Sequence, residues 1–162
     1  MFVETPEREG FMEMKFLADS MLGRLAKWLR VMGYDTHYQP FYHKDAIERL
    51  VRQRRTLLSR HKKTADRFPD ALFIRSNRVA DQINELKNRM DLRPDRSRWF
   101  TRCLICNAAL EKAHFEVARE NVPEYVLYEN AAGIRFCPSC DRYFWPGSHR
   151  EGMLRQLKEW GF

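Results

Sequence analysis

Between residues 15 and 93, short apolar runs alternate with stretches whose apolar side chains recur every three or four positions. Lys15 to Ala18 is an apolar run that stops at Asp19. Met21, Leu22, Leu25, Trp28, Leu29 and Met32 then follow at helical spacing, with Arg24, Lys27 and Arg30 on other faces. Asp19 or Ser20 is suited to cap that helix and Gly33 to end it. Asp35 to Tyr38 reads as a second strand, and Ala46, Ile47, Leu50 and Val51 as a second helix entered near Asp45. Thr56 to Ser59 and Ala71 to Arg75 read as third and fourth strands. Val79, Ile83, Leu86 and Leu92 predict a further helix that ends before Pro94. An order of alternating strand and helix predicts an α/β fold, with a parallel sheet covered by helices. In such sheets the chemistry gathers at the carboxyl ends of the strands, here Asp19 and the run Ser59, Arg60, His61.

The pattern changes after residue 93. Residues 94–102 carry Arg, Ser and Pro and read as a linker. Residues 103–162 form a second module, with strand-like pieces at Glu124 to Tyr128 and Ile134 to Phe136 and a closing helix from Glu151 to Trp160. All four cysteines lie there, as two C-x-x-C pairs: Cys103 with Cys106, and Cys137 with Cys140. Each pair can present two thiolates from a tight knuckle, and two knuckles close a tetrahedron. Four soft ligands suit zinc, with mononuclear iron as the chemical rival. Two disulfides would need an oxidising compartment, and nothing in residues 1–13 resembles a secretion signal, so a cytoplasmic chain is expected. Four protein ligands leave no open position, so the expected role is structural, folding a segment too small to bury a core of its own.

Length and charge narrow the class further. At 162 residues, with 44% hydrophobic and 31% charged side chains, the chain can build one domain or a domain plus a small module. No apolar run approaches the roughly 18 residues that span a bilayer, which speaks against a membrane protein. The net charge of +7 is concentrated in residues 51–100, which hold 14 basic and 6 acidic side chains. Arg52, Arg54, Arg55, Arg60, Lys62, Lys63 and Arg67 share that stretch with one nearby acid, Asp66. Such a field attracts polyanions, nucleic acid first among them; a solvated helix face is the plain alternative. Asp19 and Asp45 are candidate ligands for a hard divalent cation, each with an alternative role as a helix cap. No Walker loop, Gly-rich dinucleotide turn or Ser-His-Asp set is present.

The stretch Lys15 to Thr36, with Ala18-Asp19-Ser20-Met21-Leu22-Gly23-Arg24-Leu25-Ala26-Lys27-Trp28-Leu29-Arg30 at its heart, resembles the opening of the Mut-seven C-terminal ribonuclease domain family. So do Thr56-Leu57-Leu58-Ser59-Arg60, both cysteine pairs, and Tyr143-Phe144-Trp145-Pro146-Gly147-Ser148-His149 after the second pair. The resemblance runs from about residue 14 to residue 153. It implies a PIN-like three-layer α/β/α domain over residues 14–93, a linker at 94–102, a zinc ribbon with a C-terminal helix at 103–162, and an N-terminal extension at 1–13. It further implies metal-dependent hydrolysis of RNA, single-stranded or structured. Position by position, Asp19 matches the first acidic ligand and Asp45 lies near the second. At the third, the family pattern expects an aspartate where this chain has His61.

An imidazole in place of a carboxylate offers nitrogen and removes a negative charge, which disfavours Mg²⁺ more than Mn²⁺. Three outcomes stay open: a Mn²⁺-preferring nuclease, a substitute carboxylate from Asp66 or Asp70, or a catalytically degenerate RNA-binding module. A protein-interaction adaptor that docks through its ribbon is a further class. Arg24, Arg55, Arg60, Lys62 and Lys63 are the expected RNA contacts, and Tyr143, Phe144 and Trp145 either stack on bases or pack the ribbon.

Overall fold

The computed structural model describes residues 13–162, so the extension at 1–13 lies outside it except for Glu13. Four parallel strands form the first sheet: β1 (Lys15–Ala18), β2 (Asp35–Tyr38), β3 (Thr56–Ser59) and β4 (Leu72–Phe73). Their spatial order is β2-β1-β3-β4, with Leu17 opposite both His37 and Leu57. The helices between them are α1 (Gly23–Val31), α2 (Lys44–Arg52), the single turn α3 (Lys62–Ala65) and α4 (Val79–Met90).

Strand alternation assigns the two faces. Phe16, Ala18, Leu58 and Ile74 enter one core with Leu22, Leu25 and Leu29 of the α1 segment and Ile83 and Leu86 of α4. Leu17 and Leu57 point the other way, onto Ile47, Leu50 and Val51 of α2. Burial on both faces is why these strands read as unbroken apolar runs. The closing helix α7 (Ser148–Glu159) places Met153 and Leu157 in the first of these cores, and Trp160 meets Trp28 edge-on at 4.6 Å.

Gly33 ends α1 at φ +89°, a left-handed conformation that glycine adopts without strain. Neither Asp19 nor Ser20 caps α1: the N-cap is Leu22, and no side chain caps it. The Asp19 carboxylate instead accepts from the Met21 N–H at 2.9 Å, bracing the turn that leads into the helix. The stretch at 94–102 packs closely. It holds a 3₁₀ turn at Arg96–Arg98, sets Trp99 and Phe100 against the first core, and donates the Phe100 N–H to the Val31 carbonyl at 2.8 Å.

The second sheet is antiparallel, β5 (Glu111–Lys112), β6 (Arg135–Cys137) and β7 (Arg142–Phe144) in that order. Two short helices, α5 (Phe115–Asn121) and α6 (Glu124–Asn130), stand between β5 and β6. The strand expected at Glu124 to Tyr128 is therefore a helix. Pro123 opens it, Val126 is buried against Ala118 and Val122, Leu127 and Asn130 on the same side of the helix are half-buried, and Tyr125 and Tyr128 face outward. The apolar density of Tyr-Val-Leu-Tyr resembles a strand, but the burial follows the 3.6-residue period. Among the described residues no helix is long and apolar enough to cross a membrane.

Candidate functional site

Two sites emerge, one in each sheet. In the second, the knuckles are built alike. Asn107 and Asp141, each four residues after the first cysteine of its pair, adopt positive φ (73° and 56°). Each donates its N–H to the carbonyl of that cysteine at 3.0 Å. The four sulfurs lie within 4.8 Å of one another, with Cys103 and Cys140 at 3.6 Å and Cys106 and Cys137 at 3.4 Å. Tetrahedral zinc with bonds of about 2.3 Å requires sulfurs about 3.8 Å apart, so the quartet can hold a zinc ion. Burial and the adjoining sulfurs push the Cys140 thiol up to about 12. At Cys106 burial acts in the same direction, but N–H donation from Ala108 and the neighbouring thiols outweigh it and bring the group to about 7. A set of thiols with such opposed tendencies becomes uniformly ionised only around a cation.

The first knuckle is clamped to the α/β sheet. Arg30, only 3% exposed, donates to the Leu104 and Ile105 carbonyls at 3.1 and 3.0 Å and to the Thr36 carbonyl at 2.9 Å. Asn107 accepts from the Thr36 N–H and donates to Asp35, both within 3 Å. Asp35 also forms a two-pronged ion pair with Arg55. The knuckle thereby covers the outer edge of β2, which otherwise presents unpaired backbone groups.

The other site is the carboxyl edge of the parallel sheet. The chain leaves β1 toward β2 on one side and reaches β3 on the other, so β1 and β3 flank the switch point where clefts open in such sheets. Asp19 sits there and is 4% exposed. One of its oxygens accepts from the Met21 N–H, and the other from the Ser59 hydroxyl and the Arg60 N–H, both at 2.7 Å. Three of roughly four lone pairs are thus engaged and one remains for a further partner. The Tyr42 hydroxyl donates to the Ala18 carbonyl at 2.9 Å beside it. Burial, with Asp19's charge adding to it, pushes that phenol up to about 12, so it stays protonated at neutral pH.

The remaining sequence candidates divide by position. Arg60, Lys62 and Lys63 follow β3 at the same edge, where Lys62 pairs with Asp66 at 2.7 Å and Arg60 reaches the Arg75 carbonyl. Arg24 stands exposed in the first turn of α1. Asp45 is exposed in the first turn of α2, and His61 is exposed between β3 and α3. Among the described residues, the cysteines are the group of three or more acidic, histidine or cysteine side chains whose ligand atoms gather within 4.8 Å. Asp19, Asp45 and His61 do not form a second such group.

Arg55 precedes β3 at the amino end of the sheet and is held by Asp35, so it is not brought to the Asp19 edge. Asp70 lines a hollow with Arg54 and Thr56 at that same amino end, which removes it as a substitute ligand. Sequence reasoning placed Ser59 at this edge but assigned its hydroxyl no bond to Asp19, and it missed Tyr42. The signal available for Tyr42 was an aromatic in the loop after the second strand.

Comparison with known proteins adds one finding. No curated protein and no solved structure matches the chain. The profile of the Mut7-C RNAse domain matches residues 14–157, which span both sheets, the knuckles and all but the end of α7. A buried aspartate at the switch point of a parallel sheet and a cysteine quartet docked against its edge thus belong to one unit, and the chain is a member of the Mut7-C RNAse domain family.

Proposed function

We propose that this chain binds RNA across the carboxyl edge of its parallel sheet and hydrolyses the phosphodiester weakly, with a divalent cation held through Asp19. The observation that carries this reading is a nearly buried carboxylate at the switch point, on the edge where Arg60, Lys62 and Lys63 follow β3. Mg²⁺ and Mn²⁺ sites on nucleic acid commonly use one or two carboxylates and complete the shell with water and substrate phosphate, which suits one available lone pair on Asp19. When bound, such an ion polarises the phosphoryl oxygen and makes water a nucleophile at neutral pH.

The chain's own residues do the positioning. Ser59 and the Arg60 N–H fix the Asp19 carboxylate in one orientation, so it loses little freedom on binding a cation. Arg60, Lys62, Lys63 and Arg24 supply charge that holds the backbone without reading sequence. Asp45 and His61 flank the edge without converging on Asp19, and where the family pattern has a carboxylate His61 can offer only a weaker, nitrogen donor.

A second reading has its own support. Three protein donors already occupy Asp19, and neither Asp45 nor His61 converges on it, which favours an RNA-binding module without cleavage. Cleavage of single-stranded and structured RNA in Mg²⁺ and then Mn²⁺ separates the two. The expected result is slow cleavage, faster in Mn²⁺, lost in Asp19→Asn and raised in His61→Asp. Silence of both the wild type and His61→Asp, with RNA binding intact, establishes the binding module instead.

A further inference from the structure

A cleft of about 810 Å³ opens between the β6–β7 hairpin, the end of α6 and the start of α7. It shares no lining residue with the Asp19 edge. Its size is that of a small-ligand site, roughly 300–1,000 Å³.

Two features define its chemistry. The first is charge. Arg135 and Arg150 both line it, and among the described residues no carboxylate lies within 4.0 Å of either guanidinium. Glu129 and Glu151 stand in the same lining but pair with neither. Arg150 lies 4.5 Å over the Phe100 ring, half-buried, and burial followed by the charge of Arg135 holds it below the ordinary arginine value. Two arginines kept together without a counterion favour an anion. The cleft also receives the first turn of α7, a 12-residue helix whose Gly147 N-cap offers no side-chain partner to the N–H groups.

The second feature is flat aromatic surface. Tyr143 and Trp145 form a wall and are held from behind, Tyr143 by Phe136 at 5.1 Å and Trp145 by the Val126–Ile134 core. A fixed, half-exposed aromatic face beside paired cations suits a planar, anionic group better than an extended acidic side chain.

We propose that this cleft holds one unpaired nucleotide of a single-stranded RNA, its phosphate between Arg135 and Arg150 and its base against Trp145 and Tyr143. A base is free to stack there only when it is not paired, which excludes a continuous duplex. The proposal rests on the RNA reading above and adds a second contact outside the sheet edge.

The test uses the full zinc-loaded chain, without added divalent cation, and a labelled ten-nucleotide single-stranded RNA followed by anisotropy across a salt series. Arg135→Glu and Arg150→Gln should each weaken binding and flatten the log Kd against log salt plot by about one unit. A single abasic position moved along the RNA should weaken wild-type binding about tenfold at one or two sites. That penalty should vanish in Trp145→Leu and persist in Trp145→Phe, with circular dichroism and zinc content checking that each variant is folded.

If the arginine variants bind as the wild type does while the sheet-edge variant Lys63→Glu binds weakly, the cleft proposal fails and the RNA reading stands. If the wild type binds no RNA even at low salt, both fail. Adenosine monophosphate competing as well as the oligonucleotide overturns the strand assignment in favour of a free nucleotide. Polyglutamate competing equally well through Arg135 overturns it in favour of an acidic protein segment.

Discussion

Replacing Arg30 by methionine tests whether the metal knuckle and the α/β sheet fold as one thermodynamic unit. The guanidinium makes three hydrogen bonds to backbone carbonyls, two of them within the knuckle at Leu104 and Ile105 and one to Thr36 of β2. Methionine has similar length and no donor, so all three carbonyls lose their partner. At a net value of roughly 1 kcal/mol each, the loss is about 3 kcal/mol in the zinc-loaded protein. Burial pulls the Arg30 guanidinium below its ordinary value, while the charges of Cys103 and Cys106 push it back. The positive charge therefore also favours ionised sulfur. Once a chelator removes the metal and the knuckle opens, only the Thr36 bond is left to lose, and the cost falls to roughly 1 kcal/mol. The difference, about 2 kcal/mol, must reappear by linkage as a zinc affinity weakened roughly 30-fold. Urea denaturation with and without chelator gives the two stabilities, and competition with a metal indicator gives the affinity. Equal losses in both metal states, with unchanged affinity, would refute the coupling.

Other consequences follow from single contacts. Metal analysis should find about one zinc per chain, and chelation should abolish hydrogen-exchange protection in β6 and β7 while β1 and β3 keep theirs. Gly33→Ala should lower the melting temperature by at least about 3 °C, because a side chain there pays roughly 1–2 kcal/mol for the left-handed backbone and collides with the Arg98 carbonyl. Burial pushes the Asp35 carboxyl up, but hydrogen bonds from Arg55 and Asn107 outweigh it and hold the group below its ordinary value. Its stabilisation is complete above the unfolded value of about 3.9 and is lost as pH falls through the lower folded one. Thermal melts from pH 3 to 7 should therefore show Asp35→Asn less stable than the wild type near neutrality, with the gap closing in acid.

Much of this architecture was legible before any coordinates. The runs at 15–18 and 56–59 became strands at those bounds, because strands buried on both faces need apolar side chains at nearly every position; 35–38 did so too, although its Asp-Thr-His-Tyr is mostly polar and lies at the edge of the sheet. The 103/106 and 137/140 spacing announced a four-sulfur group, because a knuckle is local geometry written in four residues. The same locality explains a failure. At 124–128 a dense apolar stretch concealed a helix whose single buried residue, Val126, is chosen by Ala118 and Val122 rather than by its immediate neighbours.

Residue types and their local periods determined the alternation of strand and helix, the two cysteine knuckles, the basic middle third and the buried fate of the first helix face, since each depends on neighbours within a few positions. Only the tertiary structure decided which charges do what. Arg30 and Arg55 belong to the same basic inventory as Arg60, yet Arg30 is spent on the knuckle's carbonyls and Arg55 on Asp35 at the far end of the sheet. The partners lie 74 or 75 residues away for Arg30 and 20 for Arg55. A charged side chain becomes a clamp, a rim or an anion cradle according to what folding carries beside it, and that depends on strand order and domain docking, which no local window of sequence contains.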